Sequence, residues 1–327
     1  MRSSVQTPST SGRGQEQRHF SARLRTPSPC TAHPSICPTT PRPTPVAGAR
    51  AVRQKRQLVN TAAVTSGRGD AGGNGGGGGV VLREVLTRPE RVKLDTGDDS
   101  AFYDMPRFVK HVDADFLDQV TELYRQRIPE GGAVLDLCSS WVSHLPAEMY
   151  YTKVLGHGMN AAELARNQRF EAYFVRDLNQ EPDGWPLADQ GLDAVVCCVS
   201  VQYLQQPERV FAEIYRVLKP GGVCIVTFSN RMFYTKLALQ AIAAWRDASG
   251  FARCQLVRQY FQAVSGFTAP EVLTAVNRPA DQQQQGRAGG GGFLKGLLDS
   301  PLARLFRRSS SDPFYAVVAY RNFRREL

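Results

Sequence analysis

The chain has 327 residues and a formal net charge of +10, which allows one large domain with extensions or two small domains. Residues 1–80 hold eleven Lys or Arg against two acids, a net charge of +9, and leave only +1 for the remainder, so a basic groove for nucleic-acid phosphates is not indicated. The seven Cys form no CxxC pair and no Cys/His cluster with zinc spacing; Cys197, Cys198 and Cys224 lie in apolar strand-like runs, which is typical of small core residues in a reducing compartment.

The first 56 residues have the composition of an organelle transit peptide. They are rich in Ser, Thr, Pro, Ala and Arg, almost free of acids, and lack the apolar core of a secretory signal. The Pro and Ser/Thr content favours the chloroplast over the mitochondrion, and an ordinary disordered basic tail is the alternative. Residues 57–86 contain a glycine-rich run and are predicted to be a flexible linker, which places the folded domain at residues 87–327.

Strands and helices are predicted to alternate through the first part of this domain. The predicted helices are residues 116–128, Ala161–Arg166 and Pro207–Leu218; the predicted strands are Ala133–Leu137, Lys153–Gly158, Ala172–Asp177, Leu192–Val201 and Val223–Phe228. Such alternation indicates parallel βαβ units and an α/β, doubly wound, mostly parallel sheet.

The stretch from Ala133 to Pro146, AVLDLCSSWVSHLP, organises this pattern. We expect a buried strand that ends near Asp136, a sharp turn of small residues and then a short helix. An acid at this place opens the cofactor crevice of doubly wound domains, although any buried strand followed by a loop gives the same pattern.

The alternation of predicted strands and helices becomes less regular after residue 229. Helices are predicted over Met232–Ala244 and Cys254–Ala263, and a last strand over Phe314–Tyr320. Residues 280–292 read as a low-complexity insertion. Residues 293–308 fit either a helix packed on its own domain or a peripheral membrane-surface helix. No apolar run approaches the roughly 20 residues of a membrane-spanning helix.

Three stretches of the chain resemble the class I S-adenosylmethionine-dependent methyltransferases, and the type 11 methyltransferase domain in particular. VLDL at 134–137 is similar to the first strand of the cofactor motif, the long segment 185–222 ending in RVLKPGG is similar to the most specific part of the family pattern, and PFYAVVA at 313–319 to its closing strand. More narrowly, DLCSSWVSHLP and GHGMNAAEL resemble methyltransferase-like proteins of plants, algae and bacteria.

This resemblance implies a Rossmann-like methyltransferase fold, a seven-stranded sheet with helices on both faces and an antiparallel last strand. It implies S-adenosyl-L-methionine as cofactor and a small-molecule substrate. The residues that it assigns to the cofactor are Asp136 with Cys138, Ser139 and Ser140 in the turn, Asn160 after the second strand, Asp177 and Leu178 beside the adenine, and Ser200 beside the methionyl part. The charge distribution predicts no nucleic-acid partner, and the Cys/His spacing predicts no metal.

The chain departs from the family pattern at two places. Cys138, Ser140 and Val142 stand where the family's turn has three glycines, and Val tolerates a positive φ badly, so we expect the turn to take another path. Gly158 stands where the family has an acid for the ribose hydroxyls; Asn160 offers a hydrogen bond there, without the strength that a charge adds.

Two side chains are candidates for catalysis. His144 is interpreted either as a base or cofactor contact or as a capping or packing histidine, and Tyr203 either as a catalytic hydroxyl or as an aromatic wall of the pocket. The sequence thus predicts a plastid small-molecule methyltransferase. The alternative is a catalytically inactive relative that kept the sheet as a binding or scaffold protein.

Overall fold

The computed structural model describes residues 55–58, 78–99, 103–110, 112–229, 241–246, 248–276, 312–325 and 327. The strands are β1 Arg56–Gln57, β2 Ala133–Leu137, β3 Lys153–Gly158, β4 Ala172–Val175, β5 Leu192–Cys198, β6 Leu218–Phe228, β7 Glu271–Leu273 and β8 Tyr315–Tyr320. The helices are α1 Ala114–Arg127, α2 Ala161–Arg166, α3 Pro207–Val217, α4 Ala243–Arg246 and α5 Gly250–Gln262, with short 3₁₀ turns at Pro89–Arg91 and Val201–Tyr203.

The strands form one mixed sheet in the order β1-β4-β3-β2-β5-β6-β8-β7. The strands from β1 to β6 in this order run parallel, and β8 is antiparallel to both β6 and β7. This confirms the mostly parallel, doubly wound α/β sheet. Among the described residues the sheet has eight strands rather than seven, because the two residues of β1 pair with the start of β4 at the edge.

Because side chains alternate along the strands, apolar residues form two hydrophobic cores, one on each face of the sheet. Helix α1 packs on one face together with α2, and α3, α4 and α5 pack on the other. Neighbouring residues of β2 show the division, since Val134 belongs to the first core and Leu135 to the second. Asp113 caps α1 by accepting a hydrogen bond from the Phe116 N–H at 2.9 Å.

One predicted element near the site is wrong. The chain from Cys138 to Thr152 contains no helix, so His144, which the sequence analysis placed on a short helix, lies in an irregular segment. Cys138 takes a φ of 53°, which turns the chain away from β2, and Pro146 restricts the residue before it. The segment instead lies along α1, where the Thr121 hydroxyl donates to the His144 carbonyl at 3.1 Å.

Other predictions are confirmed with shifted ends or lie beyond the described residues. The strand predicted to reach Val201 ends at Cys198, and the strand predicted to start at Val223 begins at Leu218. Residues 1–54, most of 57–77, the region 230–240 and residues 277–311 are outside the described part, so the transit peptide, the insertion and the 293–308 segment stay predictions. Within the described residues, no helix is long and apolar enough to cross a membrane.

The start of the domain stays a prediction as well. Residues before 87 nevertheless contact the sheet and its helices: Leu86 is buried, and the Leu82 N–H donates to the Ala263 carbonyl at 2.7 Å. Glu208 on α3 binds this strand-like segment through the N–H groups of Val85 and Leu86, at 2.7 and 3.1 Å.

Candidate functional site

A cavity lies at the carboxyl ends of β2, β3, β4 and β5, and its empty space, counted out to the open mouth, is about 1440 Å³. This is where open α/β sheets bind their ligands. All ten residues singled out from the sequence line it: Asp136, Cys138, Ser139, Ser140, His144, Asn160, Asp177, Leu178, Ser200 and Tyr203. The fold therefore brings the predicted site residues together, although their roles stay predictions.

Asp136 is a buried carboxyl at the end of β2. Its Oδ2 accepts a hydrogen bond from the Ser143 hydroxyl at 2.7 Å. Burial raises the pKa of Asp136 to about 7, against the opposing effect of hydrogen bonds from Ser143 and Ser139. A cationic group in the cavity would favour the ionised carboxylate, because an opposite charge nearby lowers such a pKa.

The turn after β2 takes its left-handed residue at Cys138, with a φ of 53°, and Val142 is not among the residues with positive φ. Val142 is therefore not forced into the conformation that it tolerates badly, and the path of the turn relative to the family's stays a prediction. Backbone and side chains of neighbouring strands hold it: the Cys138 N–H donates to His157 Nδ1 at 3.1 Å, the Ser139 N–H donates to the His157 carbonyl at 2.6 Å, and the Ser200 hydroxyl donates to the Cys138 carbonyl at 3.1 Å.

The Cys138 thiol forms a pair with the buried thiol of Cys197 on β5. Interactions with the Cys197 thiol and with His157 lower the pKa of Cys138. The same pairing, together with burial, raises the pKa of Cys197. Cys138 is therefore the more acidic thiol of the pair, and it is the one that lines the cavity.

Gly158 ends β3 directly against this turn. A Cβ built on Gly158 would lie 2.5 Å from the Ser139 carbonyl oxygen and 3.3 Å from Leu164 Cδ2. Real Cβ atoms do not approach backbone this closely, so any side chain at position 158 displaces the turn. The missing acid and the altered turn are consequently linked by this steric contact, whereas the sequence analysis described them as two separate departures.

Asn160 lines the cavity with both ends of its side chain already engaged. Its Oδ1 caps α2 by accepting from the N–H groups of Ala162 and Glu163, at 2.9 and 3.0 Å. Its Nδ2 donates to the carbonyls of Tyr103 and Asp104, at 2.7 and 3.1 Å. Asn160 thus binds the entry segment, residues 103–110, which lies across the cavity and which we call the lid.

Glu163 on α2 is a second attachment point of the lid, and the sequence analysis did not select it. Its Oε1 accepts the Arg107 N–H at 2.6 Å, and its Oε2 accepts a hydrogen bond from the Ser140 hydroxyl. The Arg166 guanidinium lies 4.5 Å from the ring centre of Phe108 in the lid. A carboxylate therefore stands in the cavity wall, joining the lid to the turn.

Two polar atoms of the cavity wall have no hydrogen-bond partner among the described residues: Asp99 Oδ1 and Trp141 Nε1. The other oxygen of Asp99 is bound to the Lys93 ammonium and accepts from Asn179 Nδ2, the latter at 2.9 Å. Buried polar atoms are nearly always paired, so this acceptor and this donor indicate a ligand with both kinds of group. Asp99 precedes the motif-bearing region, and no signal in the sequence marked it.

The ends of β4 and β5 complete the wall. Asp177 Oδ1 accepts the Asn179 N–H at 2.8 Å, and burial, with a contribution from the Asp99 charge, raises the pKa of Asp177. Val199 takes a φ of 54°, an unusual conformation for a β-branched residue, and its N–H donates to the Thr227 carbonyl at 2.8 Å. Such backbone strain persists only where surrounding contacts impose it, and it concentrates at functional sites.

The pKa values of the two candidate catalytic side chains are shifted in opposite directions, down for His144 and up for Tyr203. Burial, helped by the charge of Lys110 in the lid, lowers the pKa of His144 to about 4, so its imidazole is neutral at pH 7. Burial raises the pKa of Tyr203, against a hydrogen bond with Gln202, so its hydroxyl stays protonated. Among the residues described, no group of three or more His, Cys, Asp or Glu side chains is arranged to hold a metal ion.

A family model described as a methyltransferase domain matches residues 137–226. Among characterised proteins, the malonyl-[acyl-carrier protein] O-methyltransferase of Hahella chejuensis is 24% identical over 150 residues, which cover 43% of this chain and 52% of that protein. The thiol S-methyltransferase TMT1B of Homo sapiens is 33% identical over 82 residues, or 25% of this chain and 31% of that protein. The chain thus spans about half or less of the length of these relatives.

Two of the solved structures that are similar to this chain are methyltransferases of low sequence identity. A phosphoethanolamine N-methyltransferase 2 of Haemonchus contortus, in complex with S-adenosyl-L-methionine, is 15% identical with a TM-score of 0.39, over 63% of this chain and 52% of that chain. An S-adenosylmethionine-dependent methyltransferase of Mesorhizobium loti is 17% identical with a TM-score of 0.39, over 63% of this chain and all of that chain (100%).

The family match begins at the last residue of β2 and ends within β6, so it contains the strand ends that build the cavity. The sheet order adds the antiparallel β8 that the resemblance implied. Residues 137–226 are therefore similar to a methyltransferase domain, and this similarity includes the strand ends that build the cavity.

Proposed function

We propose that this protein is an S-adenosylmethionine-dependent methyltransferase that acts on a small molecule in the plastid. The observation that carries the proposal is the cavity at the carboxyl ends of β2–β5, inside the family-matched segment and lined by all ten predicted residues.

The polar groups of the cavity wall fit this cofactor. S-adenosylmethionine offers an adenine amine, ribose hydroxyls and an ammonium as hydrogen-bond donors, and a carboxylate as acceptor. Asp99 Oδ1 is a buried acceptor in need of a donor, and Trp141 Nε1 is a buried donor in need of an acceptor. Asp136 and Asp177 add carboxylates whose ionised forms a cationic ligand would favour.

When bound, the cofactor supplies a methyl group on a positively charged sulfur, which is transferred by in-line displacement. The protein's part is then to orient the two reactants and to exclude water. The lid, fixed to α2 by Asn160 and Glu163, covers the cavity. The hydroxyl of Ser200, bonded to the Cys138 carbonyl, fixes the turn against the end of β5.

The acidities of the two candidate catalytic side chains, His144 and Tyr203, favour an acceptor that needs neither of them as a strong base. A general base works best when its pKa lies near the working pH. His144, with a pKa of about 4, is too weak for that role, and Tyr203 stays protonated. We assign to His144 a hydrogen-bond acceptor role and to Tyr203 a donor role towards the ligands.

A carboxylate or a thiol is the acceptor that matches these groups, because a carboxylate is already ionised and a thiol needs little help at neutral pH. The names of the two relatives, an O-methyltransferase and a thiol S-methyltransferase, support this choice of atoms. The plastid assignment rests on the composition of residues 1–56. A fluorescent fusion of the full chain should enter chloroplasts and lose that location when residues 1–56 are deleted; retention in the cytosol or entry into mitochondria would refute it.

The second candidate is a catalytically inactive relative that binds without transferring. It is favoured by the absence of glycine from positions 138, 140 and 142 and of an acid from position 158. Titration calorimetry of the full chain with S-adenosylmethionine and with S-adenosylhomocysteine separates the two. Micromolar binding, followed by S-adenosylhomocysteine release with small thiols or carboxylates, supports the enzyme; a folded sample that binds neither compound refutes it.

A further inference from the structure

His157 is a buried imidazole that no part of the predicted function uses. It is the penultimate residue of β3 and is only 1% exposed. Its ring centre lies 4.8 Å from that of Phe174 and 6.4 Å from that of Trp185, with the Trp185 plane nearly parallel at 5°. These contacts fix the ring plane, and with it the direction in which each ring nitrogen points.

Both ring nitrogens have a partner, and the partners determine the tautomer. The Cys138 N–H donates to Nδ1 at 3.1 Å, so Nδ1 must carry a lone pair. The proton therefore sits on Nε2, which lies 3.0 Å from the Arg176 carbonyl and donates to it. His157 thus joins the residues that follow β2 and β4 from its own position on β3.

His157 binds the residue of the turn that has an unusual backbone conformation, Cys138. Cys138 is the turn residue with a positive φ, a conformation that glycine adopts freely and that other residues adopt only when held there. His157 binds the N–H of Cys138 on one side, and the Ser200 hydroxyl binds its carbonyl on the other. Both polar groups of the residue are thereby tied to neighbouring strands.

We infer that His157 is a positioning residue for the cofactor turn: the Nδ1 atom of its imidazole holds Cys138 in the left-handed conformation that a glycine would supply. The inference rests on the proposed function for its consequence, since Ser139 and Ser140, which follow Cys138 in the turn, line the cavity. Gly158, the next residue of β3, leaves the space that this path requires.

Two substitutions separate the two ring nitrogens. His157→Asn keeps a hydrogen-bond acceptor near the place of Nδ1 and loses the group at Nε2, whereas His157→Gln reaches the place of Nε2 and loses the acceptor for Cys138. Both variants lose the same ring packing against Phe174 and Trp185, so each is the control of the other. The unfolding temperatures of both variants, compared with wild type, measure the stability that this loss of packing removes.

Hydrogen–deuterium exchange of the full chain, without any cofactor, tests the role in the turn. The amides of residues 138–142 are expected to exchange about tenfold faster in His157→Gln and to stay near wild type in His157→Asn. Binding of S-adenosylmethionine should follow the same order, about tenfold weaker for Gln and within about threefold for Asn. Equal effects of the two variants would overturn the inference, because packing alone would then explain them.

The tautomer of His157 can also be tested on the wild-type protein, so this test does not depend on whether the variants fold. The ¹⁵N shifts of the His157 ring at pH 7 should show the proton on Nε2 and a bare Nδ1; a proton on Nδ1 overturns the inference. If wild type fails to bind S-adenosylmethionine while the exchange order holds, the proposed function fails and the role of His157 in the turn stands. If wild type binds and His157→Gln binds equally well, the inference alone fails.

Discussion

Replacing Gly158 by Asp restores the carboxylate that the family pattern has at the end of the second strand, and we expect the change to weaken cofactor binding. The Cβ alone would lie 2.5 Å from the Ser139 carbonyl oxygen and 3.3 Å from Leu164 Cδ2. The first neighbour is backbone, so the turn must move. Overpacking of this kind costs typically about 1–3 kcal/mol, and the displaced residues, Ser139 and Ser140, line the cavity.

A simple reading of the sequence predicts the opposite sign. A hydrogen bond from a ribose hydroxyl to a carboxylate contributes about 1.5–3 kcal/mol, so a restored acid would tighten binding by about tenfold or more. Calorimetry with S-adenosylmethionine distinguishes these expectations, with Gly158→Ala as the matched control because it adds the Cβ without the charge. We expect both variants to bind about tenfold more weakly than wild type.

The result that refutes this reasoning is tighter binding by Gly158→Asp, or wild-type binding by Gly158→Ala. Thermal unfolding checks that a loss of affinity is local, since both variants should unfold cooperatively. Hydrogen–deuterium exchange over residues 138–142 should rise in both variants, because the displaced segment is the turn itself.

Three further predictions concern acidity, reactivity and stability. Because burial raises the pKa of Asp136 to about 7, the folded state holds this proton more tightly than the unfolded chain; the stability of the ligand-free protein should therefore fall between about pH 4 and 7 by up to roughly 4 kcal/mol. Denaturant unfolding against pH should show this slope, and Asp136→Asn should flatten it; an equal slope in both would contradict the assignment. Iodoacetamide at pH 7 should alkylate Cys138 before the other described cysteines, and S-adenosylmethionine should protect it; peptide mass spectrometry would disprove this by finding Cys254 modified first. Glu208→Gln should lower the free energy of unfolding by about 2 kcal/mol. The reason is that the buried Glu208 carboxylate pairs with the Arg91 guanidinium at 2.9 Å and accepts hydrogen bonds from two backbone N–H groups. An unchanged midpoint of urea unfolding would refute this prediction.

The parallel core of the sheet could be predicted because its strands carry strong local signals. Leu192–Cys198 and Ala133–Leu137 are apolar except for one aspartate each and are bounded by turn residues, as is typical of strands covered on both faces. Strand β7, Glu271–Leu273, was missed because three half-buried residues have no period to detect. The two residues of β1 have even less local signal, and only their pairing with β4 defines them.

The site was predictable as a set of residues and not as a set of contacts. The motif identified the strand ends, and parallel strands bring such ends together. The contacts of Asn160 with the lid could not be read, because its partners are backbone carbonyls far away in the chain. Asp99 and Glu163 gave no signal either, since a lone acid in a surface-like context is usually solvated.

The steric role of Gly158 links the two departures from the family pattern. The Ser139 carbonyl oxygen passes through the space that a Cβ at position 158 would occupy, so this path of the turn requires glycine there. The neighbouring His157 binds the Cys138 N–H and holds the left-handed residue. An acid placed at position 158 alone should therefore displace the turn, and we expect that a joint replacement of the turn and of position 158 is needed to rebuild the family's cofactor contacts.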